Sequence, residues 1–276
     1  MIYCASVPYH ITALFSPKIK KDPLDSGSIG VGIAVEPRLK LCVGNSGNNL
    51  QLPYTAEEVL KKYNINETYS LSMPLPIKIG YGSSAASTIA TEMIAFLKGK
   101  ISYFDAMKDA HLVEIENFTG LGDVLALSCG IGIILRLKEG APGIGKVDCI
   151  NFPKKVNIIS IEFGQMLTKD LLNIDKDYYT KSEERLNYIF ENFNFDSFIN
   201  NVKEFTDEMK LLYTITDKKD VIIKTPGLIG YYVKKKMSVL FIDEDYYYDA
   251  LSYLKNNNLN FKILRPSTHG VEAWYD

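Results

Sequence analysis

Histidine and cysteine are scarce in this sequence. Three histidines, His10, His111 and His269, and four cysteines, Cys4, Cys42, Cys129 and Cys149, lie far apart, and no CxxC pair occurs. That distribution excludes the closely spaced ligand sets of structural zinc sites. The cysteines read as reduced, mostly buried thiols. Long apolar runs are missing as well. The greasiest stretch, Ile131 to Leu135, falls far short of the roughly 20 residues that a membrane-spanning helix needs, and no basic start followed by an apolar run opens the chain. A soluble, cytoplasmic protein is the expectation. Nor is there an excess of either charge: 31 Lys and Arg stand against 33 Asp and Glu, a formal net charge of −2. No global positive field favours nucleic acid or an anionic membrane, so any anion site must be local.

What is present points to an α+β protein in two packed lobes. The 276 residues exceed the commonest single-domain size. Ile2 to Val7 and Gly30 to Val35 read as extended, separated by a loop containing Pro17, Pro23, Gly27 and Gly30. Leu75 to Ile79 reads as a strand running into Gly80-Tyr81-Gly82, after which Ala86, Ile89, Met93 and Leu97 recur at helical spacing. Phe104, Met107, His111, Ile115 and Phe118 form a second helical pattern, stopped by Gly120 and Gly122. Ile131 to Leu137 reads as a buried strand, and Gly140 to Gly145 as the loop into a second lobe, with the boundary near 150. Residues 151–276 then alternate strands (Val156 to Phe163, Ser238 to Ile242, Asn260 to Leu264) with helices (Lys181 to Asn192, Phe195 to Tyr213). The run Lys234 to Lys236 reads as a solvated charged face.

The strongest chemical signal lies in Pro76-Ile77-Lys78-Ile79-Gly80-Tyr81-Gly82-Ser83-Ser84-Ala85-Ala86. Glycines let backbone amides approach a polyanion, and the helix that follows points its positive end at the same place. Ser83 and Ser84 add hydroxyls for phosphate or Mg²⁺, and Ala85 and Ala86 let the helix pack closely. No lysine occupies the Walker position. A dinucleotide loop of the GxGxxA kind also fits Gly80, Gly82 and Ala85, but it calls for a strand where Tyr103 to Phe118 reads as helix. A plain tight turn with Ser84 starting the helix is the further alternative.

Downstream, His111 and Glu114 project from one helix face, and Thr119-Gly120-Leu121-Gly122 turns the chain to deliver Asp123 near them. Phosphoryl transfer to an alcohol needs a group to receive the hydroxyl proton and a carboxylate for Mg²⁺. Asp123 and Glu114 suit those roles. Helix capping by Asp123 and surface exposure of the others remain open. Arg136, embedded in Ile133-Ile134-Leu135-Arg136-Leu137, calls for an anionic partner, supplied by a substrate carboxylate or a structural one.

Together these residues resemble the GHMP superfamily of small-molecule kinases, whose second motif, a proline followed by GxGSSAA, is matched from Pro76 to Ala86. Val7-Pro8-Tyr9-His10-Ile11-Thr12, Gly27-Ser28-Ile29-Gly30-Val31-Gly32 and the run from His111 to Val124 resemble the forms of the archaeal pantoate kinase family. The resemblance implies a nucleotide-binding lobe over 1–150 with a mixed sheet of the ribosomal-S5 type, and a ferredoxin-like lobe over 151–276. It also implies transfer from ATP to the 4-hydroxyl of pantoate, giving 4-phosphopantoate on the archaeal route to coenzyme A. On that footing Pro76, Gly80, Gly82, Ser83, Ser84, Ala85 and Ala86 hold the ATP phosphates. Ser84 and Glu114 hold Mg²⁺, Asp123 activates the hydroxyl, and Ser28, His111, Arg136, Thr168 and His10 hold pantoate. A homodimer is a family expectation. The family's third motif has only a degenerate candidate, Lys224 to Gly230 around Gly227. Other acceptors (homoserine, mevalonate) and a non-catalytic nucleotide sensor are the competing readings.

Overall fold

The chain begins with a long antiparallel hairpin. In the computed structural model, which describes residues 1–276 other than 45, 46, 48, 49 and 168–175, β1 (Tyr3–Lys18) pairs with β2 (Gly27–Val43) from Tyr3 opposite Val43 to Lys18 opposite Gly27. Both strands are longer than their apolar patterns suggest, because Gly27, Gly30 and Gly32 are strand residues and not turn residues. The reason is steric. A methyl group on Gly30 would collide with the Arg136 guanidinium, and one on Gly32 would come 2.6 Å from Nε2 of His10. Glycine is there to admit two large polar side chains, not to bend the backbone.

The hairpin organises the first sheet. Strands β3 (Tyr69–Ser72) and β4 (Ile133–Lys138) pair with β2, β5 (Lys146–Ile150) pairs with β4, and β10 (Glu272–Tyr275), the last strand of the chain, returns to the free side of β1. The second sheet runs β9 (Phe261–Pro266), β6 (Val156–Glu162), β8 (Met237–Asp243), β7 (Leu228–Lys234), antiparallel throughout. Arg265 and Pro266 opposite Glu36 and Val35 join it to β2. The fold is therefore mixed α+β, built on a curled antiparallel sheet.

Helices cover the sheets where their apolar faces require it. α1 (Tyr54–Lys62), α2 (Ser83–Leu97) and α3 (Tyr103–Glu116) are followed by the short α4 (Asp123–Leu127). α2 is buried along nearly its full length, with Ala86, Ile89, Ala90, Met93 and Ile94 in the main core. α5 (Lys176–Glu191) and α6 (Phe195–Glu208) close the second half. Gly230 in β7 makes room for Ile199 of α6, since a methyl there would collide with the isoleucine. The expected strand at Leu75 to Ile79 is instead a turn. Pro74 and Pro76 lack the N–H groups that a ladder needs, and Lys78 takes a left-handed backbone with φ 67°. The cysteines, expected as free thiols, are paired as Cys4–Cys42 and Cys129–Cys149. A sequence separation of 38 residues hides the first pairing, which the β1–β2 register makes by setting Cys4 opposite Cys42. Among the described residues no helix is long and apolar enough to cross a membrane.

One buried acid sits in the heart of this packing. Glu92 of α2 is fully buried, and burial, with Asp109 of α3 beside it, pushes its carboxyl up to about 10. The folded chain therefore keeps a proton that the unfolded chain releases near its ordinary value of 4.5. Stability should accordingly decline as pH rises through that window. Glu92→Gln keeps the shape and has no proton to lose. Between pH 5 and pH 9 the wild type should lose stability relative to the variant, the gap in denaturant midpoints moving steadily in the variant's favour; parallel curves would contradict the assignment.

Candidate active site

The turn from 77 to 82 and the start of α2 form the floor of a cleft of about 530 Å³. Gly82 precedes α2 with φ 68°, a left-handed conformation that glycine adopts without strain. A side chain there would also press on the backbone of His10, 2.9 Å from its carbonyl oxygen. The loop is tied down on three sides. His10 N–H donates to the Tyr81 carbonyl at 3.0 Å, and Tyr81 Oη donates to Glu162 of β6 at 2.7 Å and lies 2.8 Å from Ser160. Ser83 Oγ donates to the carbonyls of Leu75 and Pro76, each at 3.0 Å. Ser83 therefore shapes the loop, and Pro76 contributes its carbonyl to that bond. Gly80, Gly82, Ser84 and Ala85 line the cleft, while Ala86 is buried behind them. The open N-terminus of a 15-residue helix faces the cleft, the arrangement in which backbone amides bind phosphate.

Ser84 and Glu114 are brought together from α2 and α3. Ser84 Oγ donates to Glu114 Oε1 at 2.7 Å and Thr88 Oγ1 donates to the same oxygen at 3.0 Å. Among the described residues Glu114 Oε2 is buried with no hydrogen bond in the usual geometry, Thr119 acting on the carboxylate from nearby, and a methyl on Gly120 would come 3.0 Å from it. Burial pushes the carboxyl up to about 7, even though the Ser84 hydroxyl holds it down, and nearby Asp123 adds to the rise. This is a carboxylate short of one positive partner.

Asp123 stands at the first position of α4, opposite the loop. Its Oδ1 accepts from His10 Nδ1 at 2.7 Å, while Oδ2 faces Gly120, 3.3 Å from where a methyl would sit. Burial alone would raise the Asp123 carboxyl. The His10 hydrogen bond and the charges of Arg136 and Lys234 overcome it and hold Asp123 well below the usual carboxylate range. Burial lowers His10, although the hydrogen bond to Asp123 and its charge act in the other direction.

Arg136 lies in β4 opposite Gly30, with its side chain buried yet lining the cleft. Nη1 donates to Thr12 Oγ1 at a long 3.4 Å, and Nε has no partner. Among the described residues no carboxylate pairs with it; burial lowers it to about 10, and Asp123 acts in the other direction. Ser28 of β2 lines the same wall. His111 is placed differently: its Nε2–H is directed at the carbonyls of Ser26 and Pro23, at 3.0 and 3.3 Å, so it fixes the segment leading into Ser28 and does not line the cleft. Thr168 lies outside the described residues, although Leu167 reaches the cleft edge.

The sequence reading missed Lys234. It is not part of a solvated face but lines the cleft from the end of β7, its ammonium 4.4 Å from the centre of the Phe15 ring. The signal available was the position of Lys234 at the end of an apolar run, Leu228 to Val233. The second half of the chain reaches the cleft through this hairpin. Gly227, the weak third-motif candidate, instead packs against Tyr246, where a methyl would collide with the ring.

Gly122 tests this wall. Its φ of −166° is ordinary extended backbone, yet a methyl there would come 2.6 Å from Ser28 Oγ and 3.0 Å from the guanidinium carbon of Arg136. Gly122→Ala should therefore weaken binding of a small carboxylate at this wall by about tenfold or more, on the scale of one charge-assisted hydrogen bond, with binding of a polyphosphate at the α2 N-terminus little changed. Equal losses in both would contradict the placement.

No protein-family model matches the chain. It is 27% identical to a pantoate kinase of Thermococcus kodakarensis over 196 residues, 63% of this chain and 64% of that protein. To a pantoate kinase of Methanocaldococcus jannaschii it is 28% identical over 273 residues, 90% of this chain and 96% of the relative. Among solved structures, a phosphotransferase related to the CoA biosynthesis pathway superposes with TM-score 0.81 at 20% identity, covering 99% of both chains. The mevalonate-3-kinase of Thermoplasma acidophilum superposes at 0.66 with 15% identity, over 99% of this chain and 97% of its own. These superpositions show that the chain shares the fold of these phosphotransferases, and the Pro76 to Ala86 motif lies in that fold at the turn into α2.

Proposed function

We propose that the chain is a pantoate kinase, moving the γ-phosphoryl group of ATP to the 4-hydroxyl of pantoate. The observation that carries this reading is the pairing of Arg136, a buried guanidinium with no carboxylate partner among the described residues, with Asp123, an ionised carboxylate, in one cleft. An acceptor that is both a carboxylate and an alcohol satisfies both. The curated relatives bear the name pantoate kinase. Residues 1–150 then serve as the nucleotide lobe and 151–276 as a second lobe, with β10 returning to the first.

In this reading the phosphates rest on the amides of Gly82 to Ala85, and Arg136, Thr12 and Ser28 hold the acceptor carboxylate. Asp123 Oδ1 is occupied by His10, leaving Oδ2 to accept the hydroxyl proton as the new O–P bond forms. His10 thus orients the base and keeps it anionic. Little covalent chemistry falls to the protein; alignment and electrostatics provide the acceleration. Ser84 Oγ and the buried Glu114 Oε2 fit Mg²⁺, which takes one or two protein ligands and completes its shell with water and phosphate oxygens. Once bound, that ion would neutralise phosphate charge.

The reading is tested by four outcomes. Purified protein with Mg·ATP should form a phosphorylated product, identified by mass, from pantoate; turnover of homoserine or mevalonate instead would overturn the acceptor assignment. Asp123→Asn should lower kcat by about 10²- to 10⁴-fold with binding retained, whereas Arg136→Ala should raise the KM for pantoate by about 10- to 100-fold and leave that for ATP nearly unchanged. Near wild-type kcat in the first variant would remove Asp123 from its role. Because the Glu114 carboxyl is raised to about 7 and must lose its proton to bind a cation, the apparent KM for Mg²⁺ should fall as pH rises from 6 to 8. That dependence should be absent in Glu114→Gln.

A further inference from the structure

We propose that Lys234 supplies the cation that the phosphate loop lacks, donating an N–H to a non-bridging oxygen of the γ-phosphoryl group as it is transferred. The proposal rests on the kinase reading above. It starts from the loop itself: no lysine follows Gly82, and of the cleft lysines Lys78, Lys234 and Lys235 it is Lys234 whose charge acts on Asp123 and whose stem packs against Gly80. Arg136 does not fill the gap, because its guanidinium is held in the sheet between Gly30, Gly122 and Thr12.

Lys234 comes from the other side. Its stem lies on the loop itself, since a methyl on Gly80 would come 3.0 Å from Lys234 Cγ and 3.4 Å from its carbonyl oxygen. The ammonium then sits over the Phe15 ring, a contact that positions a cation without neutralising it. The backbone at this point is fixed. Lys234 pairs with Met237 across the β7–β8 turn, and Phe163 N–H donates to the Lys236 carbonyl at 2.7 Å. Burial brings the ammonium down to about 7, with Asp123 acting against the shift and Lys235 and Arg136 adding to it. An ammonium that interacts with Asp123, on a stem packed against Gly80, sits where charge develops on the transferring group, and a fixed cation is most effective at such a place.

The step balances without a proton from Lys234. The acceptor O–H bond breaks and its proton passes to Asp123. The acceptor oxygen bonds to phosphorus as the bond from phosphorus to the β,γ-bridging oxygen breaks, and ADP leaves with that electron pair. Lys234 only donates a hydrogen bond, strongest when the equatorial oxygens carry most charge.

The test is Lys234→Met, which keeps the stem and removes the charge, beside Lys234→Arg, which restores it, each checked for an unchanged thermal midpoint. In Lys234→Met, kcat with saturating pantoate and Mg·ATP should fall by about 100-fold or more, the scale for loss of one preorganised donor, while the KM for pantoate holds. Lys234→Arg should recover most of the rate. Without acceptor, calorimetry should show that the wild type prefers ATP to ADP and that Lys234→Met loses this preference. An unchanged kcat would overturn the proposal, as would a raised KM for pantoate at full kcat, which would assign the lysine to the acceptor carboxylate. Should the wild type fail to phosphorylate pantoate, the functional reading falls alone. The ATP-over-ADP preference then decides for Lys234: its loss in Lys234→Met supports the contact, and its retention overturns it.

Discussion

A guanidinium buried in a β-sheet needs an anion, and among the described residues the protein provides none for Arg136. Desolvating such a group without a partner is costly. Much of the surrounding architecture makes sense as the means of keeping it there. Gly30 and Gly122 clear the space on two sides. The β2–β4 pairing fixes its backbone opposite Gly30, and Thr12 meets one nitrogen at long range. Asp123 stabilises it through the field, and among the described residues no carboxylate closes an ion pair with it, a place that a bound carboxylate can take.

The second half of the site follows the same logic with reversed sign. Glu114 keeps one oxygen buried with no hydrogen bond in the usual geometry among the described residues and its carboxyl raised, a demand for a cation, while the N-terminus of α2 offers amides to phosphate. His10 links the two halves by touching the phosphate loop through its backbone and Asp123 through its ring. Tyr81 reaches from the loop to Ser160 and Glu162 in the second sheet, and Tyr232 donates from that sheet to the Ile11 carbonyl at 3.1 Å. Loop, Asp123 and hairpin are therefore one connected structure, and an error in any tie would displace these groups together.

Residues whose role is set by local chain geometry were legible in the sequence. Gly80-Tyr81-Gly82-Ser83-Ser84 reads as a turn into a helix and is one, and α2, α3, β4 and the strands near 158, 240 and 262 appear where apolar periodicity puts them. Roles set by long-range registry were not legible. Gly27 and Gly30 look like loop residues because glycine usually marks one; only the positions of Arg136 and His10 across the sheet explain why Gly30 and Gly32 are glycine. The pairing of Cys4 with Cys42 depends on a register spanning the whole hairpin. Lys234 looked like one of three solvated lysines, since nothing local reveals that the β7–β8 turn folds back over Gly80. His111 is singled out as a substrate ligand through the resemblance alone, and nothing local shows it as the group that braces the segment before Ser28.

The most direct test of the account is a crystal structure with Mg²⁺, a non-hydrolysable ATP analogue and pantoate. The account predicts the pantoate carboxylate on Arg136, its 4-hydroxyl within hydrogen-bond distance of Asp123 Oδ2, and the γ-phosphate between the α2 N-terminus and that hydroxyl. A structure with Arg136 paired to a protein carboxylate, or with the pantoate carboxylate away from it, would contradict the central claim.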